Sequence, residues 1–198
     1  MTLRSAMRRS ARASRSIAAI AAVVALGLTA TSCAEETEGL RGAVRDLALE
    51  VGADPRVVPA DGRLSVVYFG YTFCPDVCPT TLADLRVAID DLGEDGARVD
   101  LIMVTVDPER DTLDVLERFV AFFDPDGVAI RPADDAELTR LQGLFLASSQ
   151  IEKRADGTVV VAHTATTYVV DATGRVRVEW PFGVPSQDMA HDLEVLLS

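Results

Sequence analysis

The sequence predicts an α/β sandwich built on a mixed central sheet. Three observations carry that expectation. Two apolar, β-branched runs, Leu64–Phe69 and Val99–Val106, read as buried strands. Amphipathic helical segments follow each of them. After Gln150 the pattern changes to short alternating runs separated by turn residues.

The first strand, Leu-Ser-Val-Val-Tyr-Phe, follows the turn-like Ala60-Asp61-Gly62. Pro79 then opens a predicted helix whose Leu82, Leu85, Ile89 and Leu92 recur at helical spacing, with Gly93 as its stop. The second strand leads to a helix capped by Thr112, with Leu113, Leu116, Val120 and Phe123 on one face. Asp134 and Asp135 start a third helix carrying Leu138, Leu141 and Phe145. Beyond it, Ile151–Arg154 and Thr158–Val161 flank Asp156-Gly157, a strong hairpin turn. Thr166–Val170 and Val176–Trp180 form a further pair, and Ser186 caps a final helix with Met189, Leu193 and Leu196 inward. That order of elements is the thioredoxin-like arrangement.

The 198 residues carry 31 acidic and 19 basic side chains, a net charge of −12, and Lys153 is the only lysine. Residues 1–32 hold five Arg and no acid, so without them the charge falls from −12 to −17. A surface that negative repels phosphate backbones, which sets nucleic-acid binding aside. The hydrophobic share of 48% excludes a wholly disordered chain.

Three segments are expected: a lipoprotein-type signal peptide over 1–32, a tether over 33–50, and one globular domain over 51–198. Residues 17–31 form 15 uncharged, mostly apolar positions. That is short of the roughly 20 needed to span a bilayer and fits a secretory h-region. Ala30-Thr31-Ser32-Cys33 resembles a bacterial lipobox, in which Cys33 is diacylated and becomes the mature N-terminus. The expected location is therefore outside the cell, lipid-anchored to the outer face of the cytoplasmic membrane.

The other two cysteines stand in Phe73-Cys74-Pro75-Asp76-Val77-Cys78-Pro79, between a buried strand and a helix. Cysteines four apart in a first helical turn face one side, and the unpaired N–H groups of a helix N-terminus favour thiolate. Redox exchange, soft-metal binding and a structural Cys74–Cys78 disulfide are all open to such a pair in an exported protein. Of the two histidines, His163 enters a predicted buried strand whose loop faces the cysteines in this topology, while His191 reads as solvent-exposed. No proline lies between Pro132 and Pro181, so the histidine takes the place where thioredoxins put a cis-proline. Two thiolates and one imidazole suit copper, as Cu(I) or Cu(II), and leave zinc one ligand short. Asp76, between the cysteines, is a candidate for steering the loop or tuning a thiol. Tyr68, Phe69, Tyr71, Phe73 and Trp180 read as core and loop packing, and Met103 and Met189 as core.

The segment Val67-Tyr68-Phe69-Gly70-Tyr71-Thr72-Phe73-Cys74-Pro75-Asp76-Val77-Cys78-Pro79 closely resembles the signature of the SCO/SenC copper proteins. So do Val104-Thr105-Val106-Asp107-Pro108-Glu109-Arg110-Asp111-Thr112 and His163-Thr164-Ala165-Thr166-Thr167-Tyr168. The resemblance implies a thioredoxin-like fold with metal ligands at Cys74, Cys78 and His163. It implies a membrane-tethered copper chaperone whose client is the CuA site of cytochrome c oxidase subunit II, or another exported copper protein. Another copper chaperone or a thiol reductant is an expected partner. The alternative is a thiol-disulfide oxidoreductase that reduces client cysteines before metallation. A peroxidase is disfavoured because, in sequence, no basic residue lies between Arg63 and Arg86.

Overall fold

A computed structural model describes residues 39–44 and 54–198. Residues 1–38, with Cys33 and the signal, and most of the expected tether lie outside the described residues. The strands are β1 (Ala43–Val44), β2 (Leu64–Gly70), β3 (Val99–Thr105), β4 (Val128–Ile130), β5 (Ser149–Lys153), β6 (Val159–His163), β7 (Thr166–Asp171) and β8 (Val176–Pro181). The helices are α1 (Val77–Asp91), α2 (Leu113–Phe123), α3 (Asp135–Leu144) and α4 (Ser186–Leu197).

Six strands form the central sheet in the order β1-β8-β7-β2-β3-β4. β2, β3 and β4 run parallel, whereas β7 lies antiparallel to β2 and β8 antiparallel to β7. The sheet is therefore mixed, as the sequence predicts. Side-chain alternation sends Leu64, Val66, Tyr68, Leu101 and Met103 to the face covered by α1, α2 and α4. Val67, Phe69, Ile102 and Val104 meet Leu141, Phe145 and Val57 on the other face. With both faces covered, every residue of β2 is buried, which is why its sequence is a continuous apolar run.

Three boundaries differ from expectation for physical reasons. Helix α1 begins at Val77 and takes Pro79 as its third residue. A first-turn proline lacks only an N–H that has no intrahelical partner. Cys78 is thus helical, while Cys74 stands in the turn ahead of the helix. Helix α4 begins at Ser186 with Pro185 as its cap, so Ser186 makes no side-chain cap. Strand β4, only three residues long, has too little sequence to announce itself. The Asp156-Gly157 hairpin forms as β5 and β6, with Gly157 at φ +87°, and makes a separate two-stranded sheet. Lys153 on β5 pairs with Glu109, in the segment between β3 and α2.

Residues 39–44, within the expected tether, belong to the sheet edge. Ala43 pairs with Glu179 and Val44 with Val178. The fully buried Asp192 carboxylate accepts the Arg41 N–H at 2.6 Å, the Gly42 N–H at 2.9 Å and the Trp180 indole N–H at 2.8 Å. A Cβ on Gly42 would lie 2.4 Å from Val178 and 2.6 Å from the Trp180 ring, so only glycine fits there.

The buried Asp54 carboxylate takes two bonds from the Arg56 guanidinium, at 3.0 and 2.8 Å, and one from Arg140 at 2.7 Å. The bond from Arg56 is the largest influence and outweighs burial, holding this carboxyl far below the ordinary aspartate range. A depressed folded-state pKa stabilises above the unfolded value near 3.9, and that stability is lost as pH falls through the folded one. Asp54→Ala is expected to cost about 3 kcal/mol at pH 7 in urea unfolding, with the gap to wild type narrowing steadily below about pH 4. A gap that stayed constant down to pH 2 would contradict this assignment.

Candidate metal centre

The parallel strands β2 and β3 end on one side of the sheet, and β7 starts there. The Val106 N–H closes onto the Gly70 carbonyl at 2.8 Å, so the chain leaves β2 as a tight turn, with the Cys74 N–H on the Tyr71 carbonyl at 3.3 Å. Cys74 is half-buried at the helix entrance, and Cys78 is wholly buried in the first turn of α1. Both are free thiols. His163 ends β6 and lies across from them, with Cys78 Sγ 3.8 Å from its Nε2. The fold thus brings Cys74, Cys78 and His163 to one end of the sheet, from a turn, a helix and a strand.

The two sulfurs are chemically unlike. Burial dominates at Cys78 and, with the neighbouring Cys74, pushes its thiol up to about 12. Tyr68, itself buried, donates its hydroxyl to the Cys78 sulfur at 3.4 Å. At Cys74 burial also acts upward, but hydrogen bonds outweigh it and hold the thiol below its ordinary value. They come from the Cys78 thiol, from the Cys78 N–H at 3.3 Å, from the Asp76 N–H and from Tyr71. The helix N-terminus therefore favours one thiolate of the pair, the outer one.

Asp76 acts here through its backbone. Its side chain is exposed and makes no cap bond to the helix it precedes. The imidazole is held by its neighbour: Nδ1 lies 3.0 Å from the Thr164 carbonyl, which can only accept, so Nδ1 carries the proton and Nε2 presents its lone pair to Cys78. Burial lowers the His163 pKa, which keeps the ring neutral. Tyr68 and Tyr71 pack edge-on to it, with ring centroids at 6.1 and 5.8 Å. Gly70 leaves the sulfur its space, since a Cβ there would meet Tyr68 at 2.6 Å and Cys78 Sγ at 3.1 Å.

Among the described residues, no three His, Cys, Asp or Glu side chains make a closed metal-binding group. Cys78 is the link between two pairs, to Cys74 on one side and His163 on the other. The 3.8 Å from Sγ to Nε2 matches two donors held about 2.3 and 2.0 Å from one first-row ion. Two soft sulfurs and a neutral imidazole fit copper.

Sequence reasoning missed three participants. Asp111 and Thr72 brace the turn that carries Cys74, and Arg110 lies over the Phe73 ring at 4.9 Å and the Tyr71 ring at 5.9 Å. Proximity along the chain is a poor guide to the last of these: a cation does stand beside the cysteine loop, brought there by β3. It is ion-paired to the buried Asp107. Phe73, expected as packing, is an exposed ring under that guanidinium, and His191 is half-buried against the Gly39 carbonyl at 3.2 Å. Met103 and Met189 are core residues, as expected.

A mixed-sheet α/β domain with a dithiol at the entrance of its first long helix and a histidine opposite is a thioredoxin-like protein carrying a sulfur–imidazole donor set. The SCO1/SenC family model matches residues 52–198, and the chain belongs to that family. An SCO2-like protein of Rickettsia prowazekii is 31% identical over 116 residues, 58% of this chain and 56% of that protein. The chain spans little more than half the length of that relative. ScoI of Bradyrhizobium japonicum, solved with copper bound, is 31% identical, with TM-score 0.60 over 68% of this chain and 85% of that one. Apo Sco1 of Thermus thermophilus is 31% identical, with TM-score 0.61 over 79% of this chain and 94% of its own.

Proposed function

We propose that this protein is an exported copper chaperone that holds one copper ion through Cys74, Cys78 and His163 and passes it to a client by ligand exchange. The observation that carries the reading is the His163 Nε2 lone pair, fixed by the Thr164 carbonyl and aimed at the buried Cys78 sulfur 3.8 Å away. A redox dithiol has no need of that imidazole. Support comes from the SCO1/SenC family match and from a relative solved with copper bound. The client is the CuA site of cytochrome c oxidase subunit II. The lipobox-like Ala30-Thr31-Ser32-Cys33 supports tethering to the outer face of the cytoplasmic membrane.

The dissimilar sulfurs favour a second activity of the same pair. The Cys74 thiolate attacks a client disulfide, forming a mixed disulfide and releasing one client thiolate. Cys78 then displaces the other, leaving the Cys74–Cys78 disulfide and a client dithiol ready for metal. Two electrons pass to the client, and an external thiol reductant returns the pair to the copper-binding form.

The test is anaerobic titration of the reduced domain with Cu(I) and, separately, Cu(II), alongside His163→Ala. One tight equivalent is expected, with sulfur-to-copper charge-transfer absorption for Cu(II). In the variant, Cu(II) affinity falls at least ~10-fold and the band shifts. Weak, unstoichiometric binding indifferent to His163 would overturn the reading and leave the redox activity alone.

A further inference from the structure

The segment Asp107–Thr112 plays no direct part in the donor set, yet it contains a fully buried carboxylate whose bonds run to the Cys74 turn. Asp111 Oδ2 accepts the Thr72 N–H at 3.1 Å and the Thr105 hydroxyl at 2.6 Å, and Oδ1 takes the Thr72 hydroxyl. Thr72 is thus gripped at both main chain and side chain by one carboxylate. Asp111 is itself anchored: its N–H donates to the Asp107 carbonyl at 3.0 Å, and its own carbonyl accepts from Arg131 Nε at 2.9 Å. The donors on its carboxylate are neutral hydroxyl and amide groups, an arrangement that burial makes directional. A staple serving only to anchor β3 would need the Thr105 bond and not the two to Thr72.

We propose that Asp111 is a positioning residue for the copper site: through Thr72 it fixes the Tyr71–Cys74 turn, and so sets where the Cys74 sulfur stands relative to Cys78 and His163. The proposal rests on the copper reading for its consequence and on the hydrogen bonds for its geometry. Cys78 is placed by helix α1 and His163 by the hairpin, but Cys74 lies outside any regular element and is held by this turn. Asparagine at 111 keeps the shape but turns N–H donors toward a site of donors, leaving buried groups unpaired. Valine at 72 removes the hydroxyl and keeps the shape, while serine restores the hydroxyl.

Two readouts separate positioning from bulk stability. In the copper-free protein, amide hydrogen exchange at Thr72 and Cys74 is expected to speed up at least ~10-fold in Asp111→Asn, with β2 and β3 core amides unchanged. In the copper-loaded protein, Cu(I) affinity is expected to fall about 10- to 100-fold, and the Cu(II)–sulfur band to lose intensity. Thr72→Val should move both in the same direction, and Thr72→Ser should restore them. Lys153→Ala, which breaks only the exposed pair with Glu109, should leave both unchanged. Should Asp111→Asn fail to fold, Thr72→Val decides. A folded Thr72→Val with wild-type exchange and wild-type affinity overturns the proposal. If the wild type itself binds no copper, the chaperone reading falls, and the exchange rates alone still decide whether Asp111 holds the turn.

Discussion

Iodoacetamide at pH 7, in the absence of metal, should alkylate Cys74 roughly 100-fold faster than Cys78. A thiol pushed up to about 12 is thiolate in only about one molecule in 10⁵ at that pH. Cys74, held below its ordinary value of 9.0, exceeds about one in 100. The higher intrinsic reactivity of the more basic thiolate recovers about 20-fold of that difference, and the complete burial of Cys78 opposes it. The sign with pH follows: Cys78 gains reactivity only as pH climbs toward 12, while Cys74 gains it at lower pH. Peptide mass spectrometry of quenched samples reads both rates at once. In 8 M urea the ratio should collapse toward one, and a native ratio near one would remove the asymmetry on which the redox activity depends.

The second large effect concerns stability. Replacing Asp192 with Ala leaves three donors without their acceptor: the buried Trp180 indole N–H and the part-buried Arg41 and Gly42 N–H groups. The orphaned indole keeps its full desolvation penalty, while water reaches the two main-chain N–H groups in part. A loss of about 2–3 kcal/mol is expected, which lowers the melting temperature of a chain this size by roughly 5–10 °C. Trypsin cleavage after Arg41 should accelerate in parallel. Asp188→Ala is the control, since its pair with Arg41 is largely exposed and expected to contribute less than ~1 kcal/mol. A loss no greater than that of the control would show that Asp192 is not what seats the N-terminal segment.

What the sequence reveals of this fold divides along physical lines. Strands β2 and β3 are covered on both faces, so burial writes itself into continuous apolar runs. Thr112 and Asp134 cap their helices through side-chain oxygens, a signal local enough to recognise. Gly157 does the same for its hairpin. The gathering of Cys74, Cys78 and His163 was legible because thiols and imidazoles are few and their order along the chain matched a known pattern. Asp111 and Asp192 were not, because an aspartate in an acidic chain carries no mark of burial. Their roles arise from partners 39 and about 150 positions away. Arg110 escaped notice for the same reason, since its closeness to Phe73 exists only after β2 and β3 align. Strand β1 eluded recognition because two residues have no periodicity, and its seat depends on a carboxylate near the other end of the chain.

The directions of the last strand and the last helix have a practical consequence. β1 runs antiparallel to β8, whose last residue, Pro181, pairs with Thr166 at the start of β7. The chain thus leaves β8 on the side where the sulfurs and the imidazole gather. Its last helix finishes on the far side, where the Leu197 carbonyl accepts from Arg98 just ahead of β3. A sensor surface or bead coupled to the side that bears the donors would hide them. Coupling through Ser198 would leave them open to solution, so the choice of attachment point decides whether an immobilised sample can meet its ligands at all.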